Sequence, residues 1–195
     1  MDVEANARYL VASGAMMLFA VATLTAFPHA PTRRVLPLPS GWRWVFWILL
    51  ATQAGHVAEH IAQMIELHVL DLPPAQAKGV LGFIDLEWVH FLWSTYILAT
   101  SAVLLRRFRW NRWLVLAVVL GSWHELEHVV MLATYIATGV AGSPGILARD
   151  GIAGLPISRP DLHFLYNAML TMLLLLAYRA ETRRPAVRLA WSPAA

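Results

Sequence analysis

Five long apolar runs, each near the length needed to cross a membrane, dominate this sequence of 195 residues. They are Tyr9–Phe27, Trp42–Leu70, Trp88–Leu105, Trp113–Ala137 and Leu162–Tyr178. About 20 apolar residues in an α-helix span the hydrocarbon core of a bilayer. Only 14% of the residues are charged and 58% are apolar, far from the balance of soluble domains. The sequence therefore predicts an all-α integral membrane protein, one domain over residues 1–195, with five transmembrane helices surrounded by membrane lipids.

Arginines gather in three segments that fall on one predicted side of the membrane. These segments lie between the first and second runs, between the third and fourth, and in the tail, residues 179–195. The connections on the other side mix acidic and basic residues. By the positive-inside rule we expect the N-terminus outside and the tail in the cytoplasm, as in a bacterial inner-membrane protein. Because the arginines flank apolar runs and form no separate basic region, we expect no nucleic-acid partner.

The second and fourth runs contain the same pattern, H-x-x-E-H. Its residues are His56, Glu59 and His60 in the first copy and His124, Glu127 and His128 in the second. A G-x-x-G follows each copy, at 79–82 and 151–154, and then His-Phe-Leu-aromatic, beginning at His90 or His163. We expect residues 42–105 and 113–178 to be tandem two-helix repeats, related by a pseudo-twofold axis along the membrane normal. The helix over residues 9–27 is then an addition.

The duplicated histidines and glutamates should meet in one layer in the outer half of the bilayer. Residues i and i+4 share a helix face, and each charged residue at membrane depth costs about 2.5–3.5 kcal/mol unless it is compensated. No arginine or lysine falls at that depth, and the chain has no cysteine. A metal ion held by nitrogen and oxygen atoms compensates most residues at once. The sequence predicts two transition-metal ions, with these ligands: His56, Glu59, His60, His90, His124, Glu127, His128 and His163.

Mixed imidazole and carboxylate ligands in a helix bundle favour non-haem iron, followed by zinc or copper. In residue types the set is similar to the histidine boxes of membrane di-metal oxidases and hydroxylases, although their H-x-x-H-H boxes are absent. We expect a metal-dependent oxidoreductase that acts on a lipid-like or apolar substrate from the bilayer, with residues 139–160 as a lid. Glu125 is the predicted catalytic residue because the first copy has Val57 in its place.

Other interpretations stay open. The H-E-x-x-H at His124–His128 also fits a zinc-dependent membrane hydrolase with Glu125 as its base. A metal transporter or carrier, a b-type haem protein, a subunit with a structural metal, and plain hydrogen bonds between helices are further alternatives. Outside the duplicated pattern, we expect Glu87 to be a surface carboxylate, Asp161 to cap a helix and His68 to be solvated.

Overall fold

The computed structural model describes residues 40–82, 87–109 and 111–183. These residues form four α-helices and no strand: α1 (Ser40–His68), α2 (Glu87–Arg107), α3 (Arg112–Thr138) and α4 (Arg159–Thr182). The helices match the second to fifth apolar runs to within four residues at each end. The predicted helix over residues 9–27 lies outside the described residues.

Three of the described helices, α2, α3 and α4, are long and apolar enough to cross a membrane. Helix α1 is longer still, with 29 residues, and its inward face carries buried glutamine, histidine and glutamate side chains. Large apolar side chains point outward on every helix. Examples are Trp47, Leu92, Ile136 and Met172, each more than half exposed. An outward apolar surface of this kind is what contact with lipid requires, and it agrees with the predicted helical membrane protein.

The helices alternate in direction, so the bundle has two different ends. At the arginine end, α1 and α3 begin and α2 and α4 finish; at the histidine end lie the loops 69–82 and 139–158. Helix α3 packs against both α2 and α4, and α1 packs mainly against α4. Around the bundle the order is therefore α1, α4, α3, α2. An apolar core fills the arginine half, with fully buried side chains from all four helices: Phe46, Leu49, Leu104, Leu114 and Leu174.

Side-chain caps begin two of the helices. Asn111 Oδ1 accepts hydrogen bonds from the backbone N–H groups of Trp113 and Leu114 at the start of α3. Ser158 caps α4, because its Oγ accepts from the backbone N–H of Asp161 at 3.2 Å. The prediction that Asp161 is the cap was therefore wrong. Serine and aspartate both cap helices well, so the sequence alone does not distinguish Ser158 from Asp161 as the N-cap residue.

The loop 139–158 folds over the histidine end. Its backbone makes internal hydrogen bonds, among them Ile152 N to Gly145 O at 3.2 Å and Leu155 N to Leu147 O at 2.9 Å. Buried Leu147, Ala148 and Leu155 pack with residues of α3 and α4 beneath them. This segment is consequently a packed covering of the bundle with its own structure.

Candidate metal centre

Six histidines from four helices form two buried triads. The first triad is His56, His60 and His90, and the second is His124, His128 and His163. Within each triad, one ligating atom from each of the three residues lies within 4.8 Å of the others, and every member is at most 6% exposed. Helices α1 and α3 each supply two histidines one turn apart, while α2 and α4 each supply one. These triads could hold metal ions.

The spacing of the imidazole nitrogens suits a shared ion. His56 Nε2 lies 3.2 Å from His60 Nε2, and His124 Nε2 lies 3.2 Å from His128 Nε2. His163 Nε2 lies 3.1 Å from His128 Nε2. Nitrogens bound to one zinc-sized ion at about 2.0–2.1 Å, with tetrahedral angles, are about 3.3 Å apart. A hydrogen bond joins only two nitrogens through one proton, whereas an ion accepts a lone pair from all three.

The two triads touch each other. The rings of His90 and His128, from different triads, are stacked with centroids 5.8 Å apart. His163 lies at a centroid distance of 5.8 Å from His60 and 5.7 Å from His90. These separations are close to those inside a triad, where His56 and His90 are 5.3 Å apart. Two bound ions would consequently be neighbours in one continuous imidazole cluster.

Outer contacts orient several of these rings. His60 Nδ1 lies 2.7 Å from Gln63 Oε1, so with Nδ1 as the donor its Nε2 keeps a free lone pair. Metal-bound histidines usually donate their second nitrogen in this way. Trp93 stacks on His56 with ring centroids 5.3 Å apart, and Tyr166 lies 4.9 Å from His124. Trp93 and Tyr166 each follow a triad histidine by three residues, so aromatic contacts recur in both triads.

The two predicted glutamate ligands have other neighbours in this structure. Glu127 Oε2 and Oε1 accept hydrogen bonds from the backbone N–H groups of Ile146 and Leu147, at 2.6 and 3.0 Å. Glu59 Oε1 accepts from the N–H of Leu81 at 2.8 Å. Both carboxylates thus hold a loop against the histidine end. That either one also binds a metal stays a prediction.

A glycine lies directly over each of these carboxylates. A Cβ placed on Gly79 would lie 2.5 Å from Glu59 Oε1, and a Cβ on Gly145 would lie 2.5 Å from Glu127 Oε2. Both glycines have φ of +74°, a backbone conformation that other residues rarely adopt. The sequence paired Gly79 with Gly151, and that pairing stays a prediction; in this structure the glycine that lies over Glu127 is Gly145, and Gly151 lies against loop backbone oxygens.

Glu125, the predicted catalytic residue, lies on the side of α3 that faces α2. Its Oε1 is 2.6 Å from Thr95 Oγ1, and its Oε2 is buried without a hydrogen-bond partner among the described residues. Thr95 itself is exposed. The carboxyl group is thus close to the outward surface of the bundle between two helices, and it directly follows His124 in the chain. Its catalytic role stays a prediction.

Two residues outside the duplicated pattern differ from the sequence prediction. Glu87 is buried, and its carboxylate pairs with the Arg159 guanidinium at 2.9 Å and accepts from Gly142 N at 2.9 Å. The prediction of a surface carboxylate was therefore wrong. The predicted solvation of His68 holds in part, because its side chain is 58% exposed but its Nε2 lies 2.6 Å from Asp161 Oδ1.

Sequence reasoning missed the polar pair beneath the histidines. Gln53 is fully buried, and its Nε2 donates to Asn167 Oδ1 at 3.0 Å. Asn167 Nδ2 in turn donates to the backbone oxygen of His163 at 3.0 Å. An available signal was the helical spacing: Gln53 lies three residues before His56, and Asn167 four after His163. These amides separate the imidazole cluster from the apolar core below.

The chain matched no protein-family model, no curated protein and no solved structure. Its function therefore has to be inferred from the residues themselves.

Proposed function

We propose that the protein holds two transition-metal ions side by side, one in each histidine triad, and uses them as a metal-dependent oxidoreductase. The main observation behind this proposal is that the Nε2 atoms of the two histidines one helical turn apart are 3.2 Å from each other in both triads. Bound in this way, each ion has three imidazole ligands and at least one position left for a reactant. Metal ions at such positions supply redox or Lewis-acid chemistry.

Iron, copper and zinc remain the candidate metals. Carboxylate ligands were the reason to favour iron from sequence, and in this structure Glu59 and Glu127 are bonded to loop backbone. Six imidazoles suit copper and zinc at least as well as iron. Because the ions would be adjacent, a redox metal would give a dinuclear centre able to exchange two electrons with a substrate.

We further propose that the substrate is lipid-like or otherwise apolar and arrives from the bilayer. The water-facing end is closed by loops that the two glutamates hold and by the buried pair of Glu87 and Arg159. Laterally, by contrast, Glu125 and Thr95 lie near the lipid-facing surface. Glu125 is then the proposed catalytic residue, placed to bind the polar group of a membrane-dissolved substrate.

The proposed architecture is that of a five-helix protein in which tandem two-helix repeats build one triad each. Recurrent distances support this: His56–His60 and His124–His128 ring centroids are 4.6 and 4.5 Å apart. The proposed orientation places the N-terminus outside and the arginine end in the cytoplasm, on the positive-inside rule.

A zinc-dependent hydrolase is the second candidate, favoured by one observation: three histidines with an open position are the ligand set of catalytic zinc. A transporter has less support, because fully buried Leu49, Leu104 and Leu174 fill the bundle directly along the path towards the arginine end. A b-type haem has the least support, since a macrocycle would have to part imidazoles that lie only 4.5–5.8 Å apart between centroids.

Elemental analysis of the detergent-purified protein, with a visible spectrum, tests the proposal. We expect two ions of copper or iron per chain and no haem Soret band. His60→Ala and His128→Ala should each remove about one ion, and His68→Ala should remove none. Two zinc ions per chain would contradict the oxidoreductase and support a zinc-dependent hydrolase or a structural metal instead. Protein without stoichiometric metal, equally stable with and without His60, would overturn it and leave hydrogen bonds between helices as the role of the cluster.

A further inference from the structure

Two glutamines of α1 distinguish the first histidine triad from the second. One of them, Gln63, follows His60 by three residues, and its Oε1 lies 2.7 Å from His60 Nδ1. At the same place beside the second triad is Met131, which follows His128 by three residues and is buried. A thioether is only a weak hydrogen-bond acceptor. His128 Nδ1 is accordingly buried without a hydrogen-bond partner among the described residues.

The amide of the other glutamine, Gln53, has a fixed direction. Asn167 Nδ2 donates to the backbone oxygen of His163 at 3.0 Å, so the Oδ1 of Asn167 is left to face Gln53. Gln53 must then donate its Nε2 to that oxygen, and the bond is 3.0 Å long. Gln53 Oε1 is consequently a buried acceptor with no hydrogen-bond partner in the part of the chain that the structure describes.

A donor lies one helical turn away from this acceptor. His56 follows Gln53 by three residues on α1, and its Nδ1 is buried without a partner among residues 40–82, 87–109 and 111–183. When His56 Nε2 binds an ion, Nδ1 carries a proton that can bond to the Gln53 oxygen, directly or through one water molecule. At the matching position of α3 is Gly121, three residues before His124. The second triad therefore has no side-chain acceptor at either of the two places where the first triad has a glutamine.

We propose that the two metal sites are unequal: the first triad binds its ion tightly, with Gln53 and Gln63 as positioning residues, and the second binds its ion loosely. This inference rests on the proposed function, because both triads must bind metal. A hydrogen bond from the outer ring nitrogen orients an imidazole and makes it a stronger ligand, and losing such a partner lowers metal affinity about 10–100-fold. The first triad should therefore bind its ion at least about tenfold more tightly than the second.

The looser site is also the better place for a reactant. Imidazoles that donate less charge leave a bound ion more open to an added ligand. Moreover, Glu125 directly follows His124, whereas Val57 occupies the matching position after His56. The inference thus assigns reactant binding to the second triad.

Proteins with a single complete triad test the difference in affinity. His128→Ala leaves the first triad complete, and His60→Ala leaves the second complete. Each full-length protein is stripped with a chelator and titrated with Co²⁺, whose visible absorption reports binding. We expect the dissociation constant for Co²⁺ to be at least about tenfold lower in His128→Ala than in His60→Ala. Equal constants, or tighter binding by the second triad, would overturn the proposal.

Exchanging the residues at the two matched positions tests the cause. Glutamine and methionine side chains are similar in length, so Gln63→Met and Met131→Gln move the acceptor from one triad to the other with little change in volume. In the single-triad proteins, Gln63→Met should weaken Co²⁺ binding by the first triad about tenfold, and Met131→Gln should tighten binding by the second by a similar factor. Thermal unfolding of the metal-free variants detects any defect in folding. Unchanged dissociation constants in both variants would overturn the proposal.

Azide, added to the Co²⁺-loaded proteins, tests the assignment of the reactant. It should change the visible spectrum of His60→Ala at a lower concentration than that of His128→Ala. Tighter azide binding by the first triad would overturn the assignment. Failure of both triads to bind any Co²⁺ would contradict the proposed function itself, so the two failures are distinguishable.

Discussion

Gly145 lies so close to Glu127 that a side-chain carbon on the glycine would come to 2.5 Å from the carboxylate Oε2. The same relationship joins Gly79 to Glu59 on the other side of the histidine end. In both places a helix carboxylate reaches loop N–H groups because no Cβ stands between them. The loops that close the centre thus depend on a missing side chain as much as on a hydrogen bond.

Substituting these glycines should destabilise the protein. Gly79→Ala and Gly145→Ala each add a steric clash to a positive φ, and such strain costs about 1–3 kcal/mol. Gly82→Ala is the control, because Gly82 has φ of +54° but nothing within 4 Å of its added Cβ. In thermal unfolding in detergent, Gly82→Ala should have a clearly higher melting temperature than the other two variants. Equal melting temperatures for all three would show that the close contact with the carboxylates is unimportant.

Glu127→Gln separates loop anchoring from metal binding. The amide presents one acceptor where the carboxylate presents two, so one of the N–H groups of Ile146 and Leu147 loses its partner, at a cost of about 1–3 kcal/mol. We expect faster proteolysis within residues 139–158 and full metal content after gentle purification. Loss of one ion with unchanged proteolysis would instead identify Glu127 as a ligand, as the sequence predicted.

Gln63→Leu should weaken metal binding at the first triad. Without the amide oxygen that lies 2.7 Å from His60 Nδ1, the ring is no longer held in the tautomer whose Nε2 lone pair is free to bind metal. Such changes lower metal affinity about 10–100-fold. The matched control is Met131→Leu, since Met131 occupies the corresponding position beside the second triad, three residues after His128. Competition with a chelator should release one ion earlier from Gln63→Leu than from the unaltered protein, and none earlier from the control. Identical release curves would contradict the orienting role.

Arg159→Gln should lower the free energy of unfolding more than replacing both partners of the ion pair does. The Glu87 carboxylate is only 2% exposed and would be left without its cation, and breaking a buried pair from one side costs about 3–5 kcal/mol. Glu87→Gln combined with Arg159→Gln should recover much of the loss. Chemical denaturation of the two single variants and the double variant gives the coupling energy. Strictly additive effects would mean that the pair contributes nothing as a pair.

The sequence alone determined the helices and the histidines that matter. Apolar runs near 20 residues predict spans regardless of their neighbours, and α1–α4 begin and end close to those runs. Spacing of i and i+4 along a helix is local, so His56 with His60, and His124 with His128, were predictable as pairs on one face. The repeated pattern then indicated His90 and His163 as the third members.

What each carboxylate contacts depends on the packing of the helices and loops. A glutamate on a helix face can reach a metal, a loop or lipid, and the choice depends on atoms far away in the chain. Glu127 meets N–H groups 19 and 20 residues later, and Glu87 meets an arginine 72 residues later. Loop lengths and helix packing set those distances, and neither leaves a periodic trace in the sequence. The imidazole cluster could therefore be predicted from the sequence, because helical geometry is local. Its enclosure by loops could not be predicted, because loop closure depends on contacts between residues that are far apart in the chain.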